Sequence, residues 1–255
     1  MEERQNNYTI MEGYTLPSRG EIYEKPINPQ VELRSMTARD EMKRTSPSTT
    51  PLKTLADIIE GCMLEKPAIK VYDMCLGDYE YLLHKLRVVS YGSKYALTVG
   101  CPHCDEIVET EADLDSLEVN EFNIDKFEEL RNITLPKSDH RITLRMQTPR
   151  MSDDLDLKVK EMKRKFKNAN INFEALLRMT MAIDLVDGNK LGQVELENFV
   201  NNLPALDYQK LERAIDELNN YIGIDSTFDL ICDKCGGDIR TYFRFGSEFF
   251  RPTNI

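Results

Sequence analysis

Two Cys-x-x-Cys pairs constrain the fold of this chain more than any other feature. They are Cys101-Pro-His-Cys104 and Cys232-Asp-Lys-Cys235, and residues 105 to 231 separate them. Four thiolates from two such turns form the tetrahedral cage that suits Zn²⁺, with Zn–S bonds of about 2.3 Å. A shared ion would therefore join two segments that lie far apart in the sequence.

The alternative to zinc is a chance occurrence of two unrelated pairs of buried thiols. The flanking sequence favours zinc, because strand-like residues lie on both sides of each pair and Gly236-Gly237 supplies a turn after the second. Four thiolates would leave no coordination position open for water or substrate, so the site would be structural. His103 would then lie beside the ligands or at the surface. We expect Cys62 and Cys75, outside the pairs, to fill the hydrophobic core.

The composition is that of a globular, acidic protein. Hydrophobic residues make up 41% of the chain and charged residues 30%, which excludes a disordered chain. The net charge of −11 disfavours nucleic acid as a partner, because an acidic surface repels phosphate. No apolar run approaches the roughly 20 residues that span a bilayer, and the N-terminus lacks the features of a signal peptide. We therefore expect a reducing cytosol, where paired cysteines bind metal.

We predict an α+β fold, in which a zinc-ribbon-like antiparallel β platform is interrupted by a helical insertion. A helical N-terminal region and an extended arm precede the platform, and the metal would bring its two halves together. The predicted segments are the arm at 1–36, the N-terminal helical region at 37–93, the first half of the β platform at 94–148, the helical insertion at 149–223, and the second half of the ribbon with the C-terminal tail at 224–255.

This division into segments rests on the periodicity of hydrophobic residues and on helix-capping residues. Thr37 and Asp40 predict a capping box at the start of one helix, and Pro51 predicts the start of a second. The clearest helix covers about 78–91 and ends at Gly92. Further helices are predicted at about 152–166, 173–184, 193–201 and 207–222, the last capped by Asp207 and ended by Gly223. Strands are predicted at 95–99, 106–110, 132–135, 141–146, 228–231 and 240–245.

The first 30 residues show no helical period. Pro17, Pro26 and Pro29 interrupt any regular element there. Three alternatives remain open for this arm, which are a frayed terminus, docking on a partner, and addition to the chain's own sheet.

No catalytic signature stands out in the sequence. A P-loop, a Gly-x-Ser-x-Gly turn and the histidine spacing of metalloproteases are all missing. Asp187-Gly-Asn189 resembles the start of a calcium loop, but Leu191 and Asn198 stand where an EF-hand needs an oxygen ligand and a glutamate. We interpret the segment as a tight turn, and we predict neither a catalytic residue nor a small-molecule substrate.

The C-terminal tail carries Phe249, Phe250, Arg251 and Pro252, although a chain end ordinarily frays. The two aromatic rings either fold back on the chain's own core or anchor in a partner, since aromatic residues beside arginine are typical of binding hot spots. Both alternatives stay open, and these four residues are our candidate partner contacts.

Several short motifs follow one another in a specific order over nearly the whole chain. Those in the first half are Tyr14-Thr-Leu-Pro-Ser-Arg-Gly20, Val31-Glu-Leu-Arg-Ser-Met-Thr37, Ile58-Ile-Glu-Gly-Cys62, Asp78-Tyr-Glu-Tyr-Leu-Leu-His-Lys-Leu-Arg87 and Ser90-Tyr-Gly92. The later ones are Cys101-Pro-His-Cys104, Leu144-Arg-Met-Gln-Thr-Pro149, Leu203-Pro-Ala-Leu-Asp207 and Phe249-Phe-Arg-Pro252. This order of motifs resembles the T-even-type bacteriophage baseplate protein family. Many members of the family keep only part of the four-cysteine pattern or none of it, so zinc does not define the family.

The resemblance implies a non-enzymatic hub component or hub-assembly factor of a contractile phage tail. Its expected partners are other hub, wedge or tail-tube proteins, and its expected location is the host cytoplasm during assembly or the tail baseplate of the virion. No catalytic residue carries over. The main alternative is a zinc-ribbon module that contacts the transcription or replication machinery, and a metallohydrolase ranks last because it needs an open metal position.

Overall fold

The computed structural model describes residues 10–120, 122–166, 172–243 and 245–250. Helices and small antiparallel sheets make up the fold, so the predicted α+β class is confirmed. The helices are α1 Ala38–Arg44, α2 Pro51–Cys62, α3 Leu76–Tyr91, α4 Ile124–Arg131, α5 Pro149–Lys165, α6 Phe173–Ala182, α7 Gln193–Asn201 and α8 Ala205–Asn219. The strands are β1 Met11–Thr15, β2 Gln30–Arg34, β3 Lys94–Gly100, β4 Ile107–Asp113, β5 Asn132–Thr134, β6 Arg141–Leu144, β7 Ile183–Val186, β8 Thr227–Ile231 and β9 Asp238–Tyr242. Of these helices, none has the length and apolar character that a membrane crossing requires.

The described part of the predicted arm adds to the chain's own structure. β1 pairs antiparallel with β2, and Met11 lies opposite Arg34. Leu16 and Leu33 are buried in the core that α2 and α3 form. Pairing with β2 satisfies backbone groups that an isolated strand would expose, and the two leucines anchor the hairpin.

Asp78 fastens the loop between β1 and β2 to the first turn of α3. Its carboxylate is fully buried and accepts hydrogen bonds from the backbone N–H of Ser18 at 2.9 Å and from the Tyr23 hydroxyl at 2.6 Å. A buried carboxylate is tolerated when such donors surround it. The polar loop therefore becomes part of the N-terminal helical region.

The N-terminal helices follow the predicted capping signals. The backbone N–H of Thr37 donates to Asp40 at 2.9 Å at the start of α1, and Pro51 lies in the first turn of α2. Gly92 ends α3 with φ +83°, a conformation that L-residues with side chains rarely adopt. The buried apolar residues of α2 and α3 face one another in a single cluster: Leu55, Ala56, Ile58, Ile59, Cys62, Tyr79, Leu82, Leu83, Leu86 and Val89.

Gly77 allows α3 to lie directly against the chain segment that follows α8. A Cβ atom at Gly77 would lie 2.1 Å from the carbonyl oxygen of Ile222. Gly223, with φ +119°, lies in the same close contact, since its own Cβ would lie 2.9 Å from the Gly77 Cα. The N-terminal region and the insertion therefore meet backbone to backbone at this point.

We expect Gly77→Ala to lower the free energy of unfolding by about 1–3 kcal/mol, the usual effect of overpacking, because a carbonyl oxygen cannot turn aside as a side chain can. Gly61→Ala is the matched control. A Cβ at Gly61 in α2 would meet nothing within 4 Å, so this change should stabilise the helix by about 0.5–1 kcal/mol. Urea unfolding of both variants checks the prediction, and two shifts of the same sign would contradict it.

The insertion contains a strand that the sequence analysis did not predict. The predicted helices of this segment correspond to α5, α6, α7 and α8. β7 lies between α6 and α7 and extends the β5–β6 hairpin to a three-stranded sheet, in which Ile142 pairs with Ile133 on one side and Val186 on the other. β5 and β6 therefore pair with the insertion, although the predicted segments placed them with the first half of the β platform.

Asp207 does not cap α8, and this prediction is wrong. The helix begins at Ala205 with Pro204 as its N-cap. The Asp207 carboxylate is buried and accepts hydrogen bonds from the backbone N–H groups of Lys137 at 2.8 Å and Ser138 at 2.9 Å. It therefore binds the β5–β6 turn to α8, because two backbone donors from another element compete successfully with the helix's own terminus. Gly223 does not end the helix either, since α8 ends at Asn219.

Candidate metal centre

Two β-hairpins carry the cysteine pairs at their tips. β3 pairs with β4 and β8 pairs with β9, each as a separate two-stranded antiparallel sheet. The strands predicted on both sides of each cysteine pair are therefore confirmed. The side chains that meet between the hairpins around the cysteines are apolar: Val99, Val108, Leu230 and Ile239. Backbone hydrogen bonds hold each hairpin, whereas side-chain packing holds the two together.

The two cysteine turns repeat the same backbone hydrogen bonds. The N–H of Cys101 donates to the Glu106 carbonyl at 2.8 Å, and its carbonyl accepts from the Asp105 N–H at 3.0 Å. The equivalent bonds around Cys232 measure 2.9 and 2.8 Å. Asp105 with φ +58° and Gly236 with φ +71° adopt the left-handed conformation at matching positions. Each turn therefore presents its two sulfurs from an equivalent, hydrogen-bonded scaffold.

The four sulfurs form a compact group. All four Sγ atoms lie within 4.8 Å of one another, and the pairs Cys101–Cys235 and Cys104–Cys232 are both separated by 3.7 Å. A disulfide would need about 2.0 Å, and all four thiols are free. Four sulfurs about 2.3 Å from one central ion form a tetrahedron with edges of about 3.8 Å. The cluster is therefore compatible with a tetrahedral metal site.

Contacts between the two turns surround this cluster. The Nε2 atom of His103 lies 3.1 Å from the Asp238 carbonyl oxygen, and Lys234 forms an ion pair with Glu106. Gly237 makes room for the imidazole, because a Cβ there would lie 2.5 Å from the His103 ring. These contacts were not predicted from the sequence. The sequence signal for them is the second glycine of Gly236-Gly237, because the turn itself requires glycine only at the first of the two positions.

The pKa shifts of the cysteines differ, since the pKa of Cys232 is lowered whereas those of Cys104 and Cys235 are raised. The backbone N–H groups of Cys235 and Lys234 lower the pKa of Cys232 to about 7. The N–H of His103 lies 3.4 Å from the Cys101 sulfur. Such donors favour the thiolate, which is the form that binds metal.

Phe249 and Phe250 fold back on the chain's own core, the first of the two alternatives for the tail. They are only 1% and 0% exposed. The centroid of the Phe249 ring lies 5.3 Å from that of Tyr95 in β3 and 5.1 Å from that of Phe245. Phe250 packs in the α2–α3 core. These two rings therefore have no exposed surface left for a partner. Their burial is favourable because it removes more apolar area from water than an exposed tail would.

Arg251 and Pro252 lie outside the described residues. They remain the candidate partner contacts of the tail.

His84 is a buried histidine of α3. Its Nε2 lies 3.0 Å from the Leu114 carbonyl oxygen, and its ring stacks on Phe249 at 6.4 Å between centroids. Burial and, second, the nearby Lys85 lower the pKa of His84 to about 4, so the ring is neutral at physiological pH. Cys62 and Cys75 are also buried, as expected.

The Asp187 segment is a tight turn, as interpreted. Asp187 has φ +50° and Gly188 φ +77°. The Asp187 carboxylate accepts from the Arg141 N–H at 2.9 Å and lies 2.7 Å from Nδ1 of His140. Within the described ranges, the four cysteines are the one group of three or more metal-binding side chains close enough to share an ion.

Comparison with known proteins gives one family. A family model described as T4 bacteriophage base plate protein matches residues 11–251. Neither a curated protein nor a solved structure matches the chain. The matched range runs from β1 to the residue after Phe250 and includes the four cysteines. The chain therefore belongs to the T4 bacteriophage base plate protein family.

Proposed function

We propose that this protein is a non-enzymatic hub component or hub-assembly factor of a contractile phage tail baseplate. The observation that carries the proposal is the family match over residues 11–251. We assign it no catalytic residue and no small-molecule substrate.

Cys101, Cys104, Cys232 and Cys235 are the proposed ligands of one structural Zn²⁺. Their spacing of 3.7 Å in two pairs supports this assignment. Zinc would tie the β3–β4 hairpin to the β8–β9 hairpin, which no strand pairing joins. With four thiolates the site would be closed, so its contribution would be to stability and shape.

The proposed partners are other hub, wedge or tail-tube proteins, met in the host cytoplasm during assembly and retained in the virion baseplate if the protein is a hub subunit. Arg251 and Pro252 remain proposed contact residues. Phe249 and Phe250 are not proposed contacts, because both rings lie in the core.

The zinc-ribbon regulator that contacts transcription or replication machinery receives less support. Near the cysteine turns, Lys234 pairs with Glu106, and Arg240 lies 3.7 Å from Asp229. These cations are balanced by neighbouring carboxylates, whereas a nucleic-acid surface needs an excess of positive charge. A salt-sensitive gel shift with duplex DNA would revive this alternative.

A stop codon in the gene of the encoding phage tests the proposal. We expect tails that lack complete baseplates in electron micrographs, and we expect plasmid-encoded protein to restore them. Cross-linking mass spectrometry of assembling tails should join the protein to hub subunits. Normal infectious particles from the stop-codon phage would contradict the proposed function.

The same complementation assay tests the two proposed contact residues. The double variant Arg251→Ala/Pro252→Ala should fold normally and restore fewer complete baseplates than the parent protein. Full complementation by this variant would remove both residues from the proposed contact.

A further inference from the structure

The second half of α5 is a cationic surface on a chain whose net charge is −11. The cationic end, as we name it, consists of Lys158, Lys160, Lys163, Arg164 and Lys165, all of them exposed. Glu161 is the one acidic residue among them, and it pairs with Lys165 at 2.6 Å. In the described part of the chain, no carboxylate lies within salt-bridge distance of Lys158, Lys160 or Lys163.

The helix dipole accounts for only part of this cationic end. Cations in the last turn of a helix are stabilised by its carbonyl groups, and the effect falls off within that turn. Lys163, Arg164 and Lys165 occupy the last turn of α5, whereas Lys158 and Lys160 lie before it. These two lysines lie four residues after Asp154 and Asp156, but neither pair is within salt-bridge distance in the described structure, so both remain exposed positive charges before the last turn.

The outer face of the β3–β4 hairpin carries the opposite charge. Between residues 105 and 121 the chain has eight acidic residues and no lysine or arginine. Glu109 and Glu111 are exposed on this face, where Thr98 and Ala96 lie opposite them. Lys94 reaches Glu111 at 3.7 Å, but no described cation lies within salt-bridge distance of Glu109. Because short side chains lie opposite them, the two glutamates are accessible and give this face an excess of negative charge.

Each surface also exposes an apolar side chain. Ile107, two residues before Glu109, is 66% exposed. On α5, Leu157 is 41% exposed and precedes Lys160 by three residues, so the two share one side of the helix. Phe166 is 51% exposed at the helix end. An apolar spot within a charged rim is the usual anatomy of a protein interface, whereas contact with a polyanion needs charge alone.

We propose that two copies of this chain bind head to tail, with the cationic end of α5 in one copy against the outer face of the β3–β4 hairpin in the next. Charge complementarity and the exposed Leu157, Phe166 and Ile107 define both sides of the contact. Because the two patches differ, the contact is heterologous and can be repeated from copy to copy, closing into a ring or continuing as an open chain. This inference goes beyond the proposed function and does not require any other baseplate protein.

Sedimentation velocity of the full-length protein at low and high salt tests the contact. Oligomers should form at micromolar concentrations in about 50 mM NaCl and dissociate in about 500 mM NaCl, where screening is stronger. The variant Lys158→Glu/Lys160→Glu/Lys163→Glu and the variant Glu109→Lys/Glu111→Lys should each weaken association by about tenfold or more, because each places like charges opposite one another. Mixing these two variants should restore association, since each then meets an oppositely charged surface on the other.

A matched control separates a specific contact from a change in net charge. Lys190→Glu/Lys210→Glu/Arg213→Glu reverses three exposed cations elsewhere and should leave association unchanged. A monomeric parent protein in low salt, or equal weakening by the control, would overturn the proposal. A monomeric parent that binds duplex DNA through the α5 lysines would overturn it in favour of a polyanion site.

Discussion

Cys232→Ser is expected to abolish metal binding and to lower the melting temperature by about 10 °C or more. Three remaining thiolates cannot complete the tetrahedron, and losing a structural zinc removes several kcal/mol of folding free energy. In a protein of this size each kcal/mol corresponds to about 2–4 °C. Elemental analysis of protein purified without added metal should find one zinc per parent chain and none per variant chain, and calorimetry should show the shift.

Asp233→Ser is the control for this experiment. Asp233 lies in the same turn, next to Cys232, and its side chain is exposed. The substituted residue is again serine, but all four sulfurs remain, so zinc content and melting temperature should stay at the parent values. A parent protein without zinc, or a Cys232→Ser variant that melts with the parent, would refute the metal assignment.

Phe249→Ala should lower the free energy of unfolding by about 3–5 kcal/mol, the usual effect of removing a fully buried phenylalanine. The ring is 1% exposed and lies against Tyr95, Phe243 and Phe245, so its loss leaves a cavity between the ribbon and α3. Urea unfolding, followed by circular dichroism, measures the change.

The same substitution at Phe166 provides the comparison. This ring is 51% exposed, so Phe166→Ala should change the free energy of unfolding by less than about 1 kcal/mol. If Phe249→Ala were as mild as Phe166→Ala, the buried position of the C-terminal tail would be incorrect.

Local sequence signals predicted many of the secondary-structure elements and the candidate ligands. Thr37 with Asp40, Pro51 and Gly92 act on backbone groups within a few residues, so their effect is visible in the sequence itself. The spacing within each cysteine pair is equally local. The two strands on either side of each pair followed from residue preference and alternation.

Contacts between distant segments could not be predicted in this way. Asp207 looked like a helix cap, but its carboxylate binds the β5–β6 turn some 70 residues earlier. The helix α4 was not predicted either. It is short and has a single buried residue, Phe127, so its hydrophobic periodicity is weak. β7 follows α6 directly and becomes a strand because β6 offers it hydrogen-bond partners.

By itself, the sequence determined which four sulfurs are available to a metal, where most of the helices lie, and the acidic balance of the chain. Only the tertiary structure decided that the four sulfurs meet and that Phe249 turns inward. The reason is physical. Capping and periodicity act over one or two turns of chain, whereas burial and the clustering of thiols depend on which distant surfaces fit together.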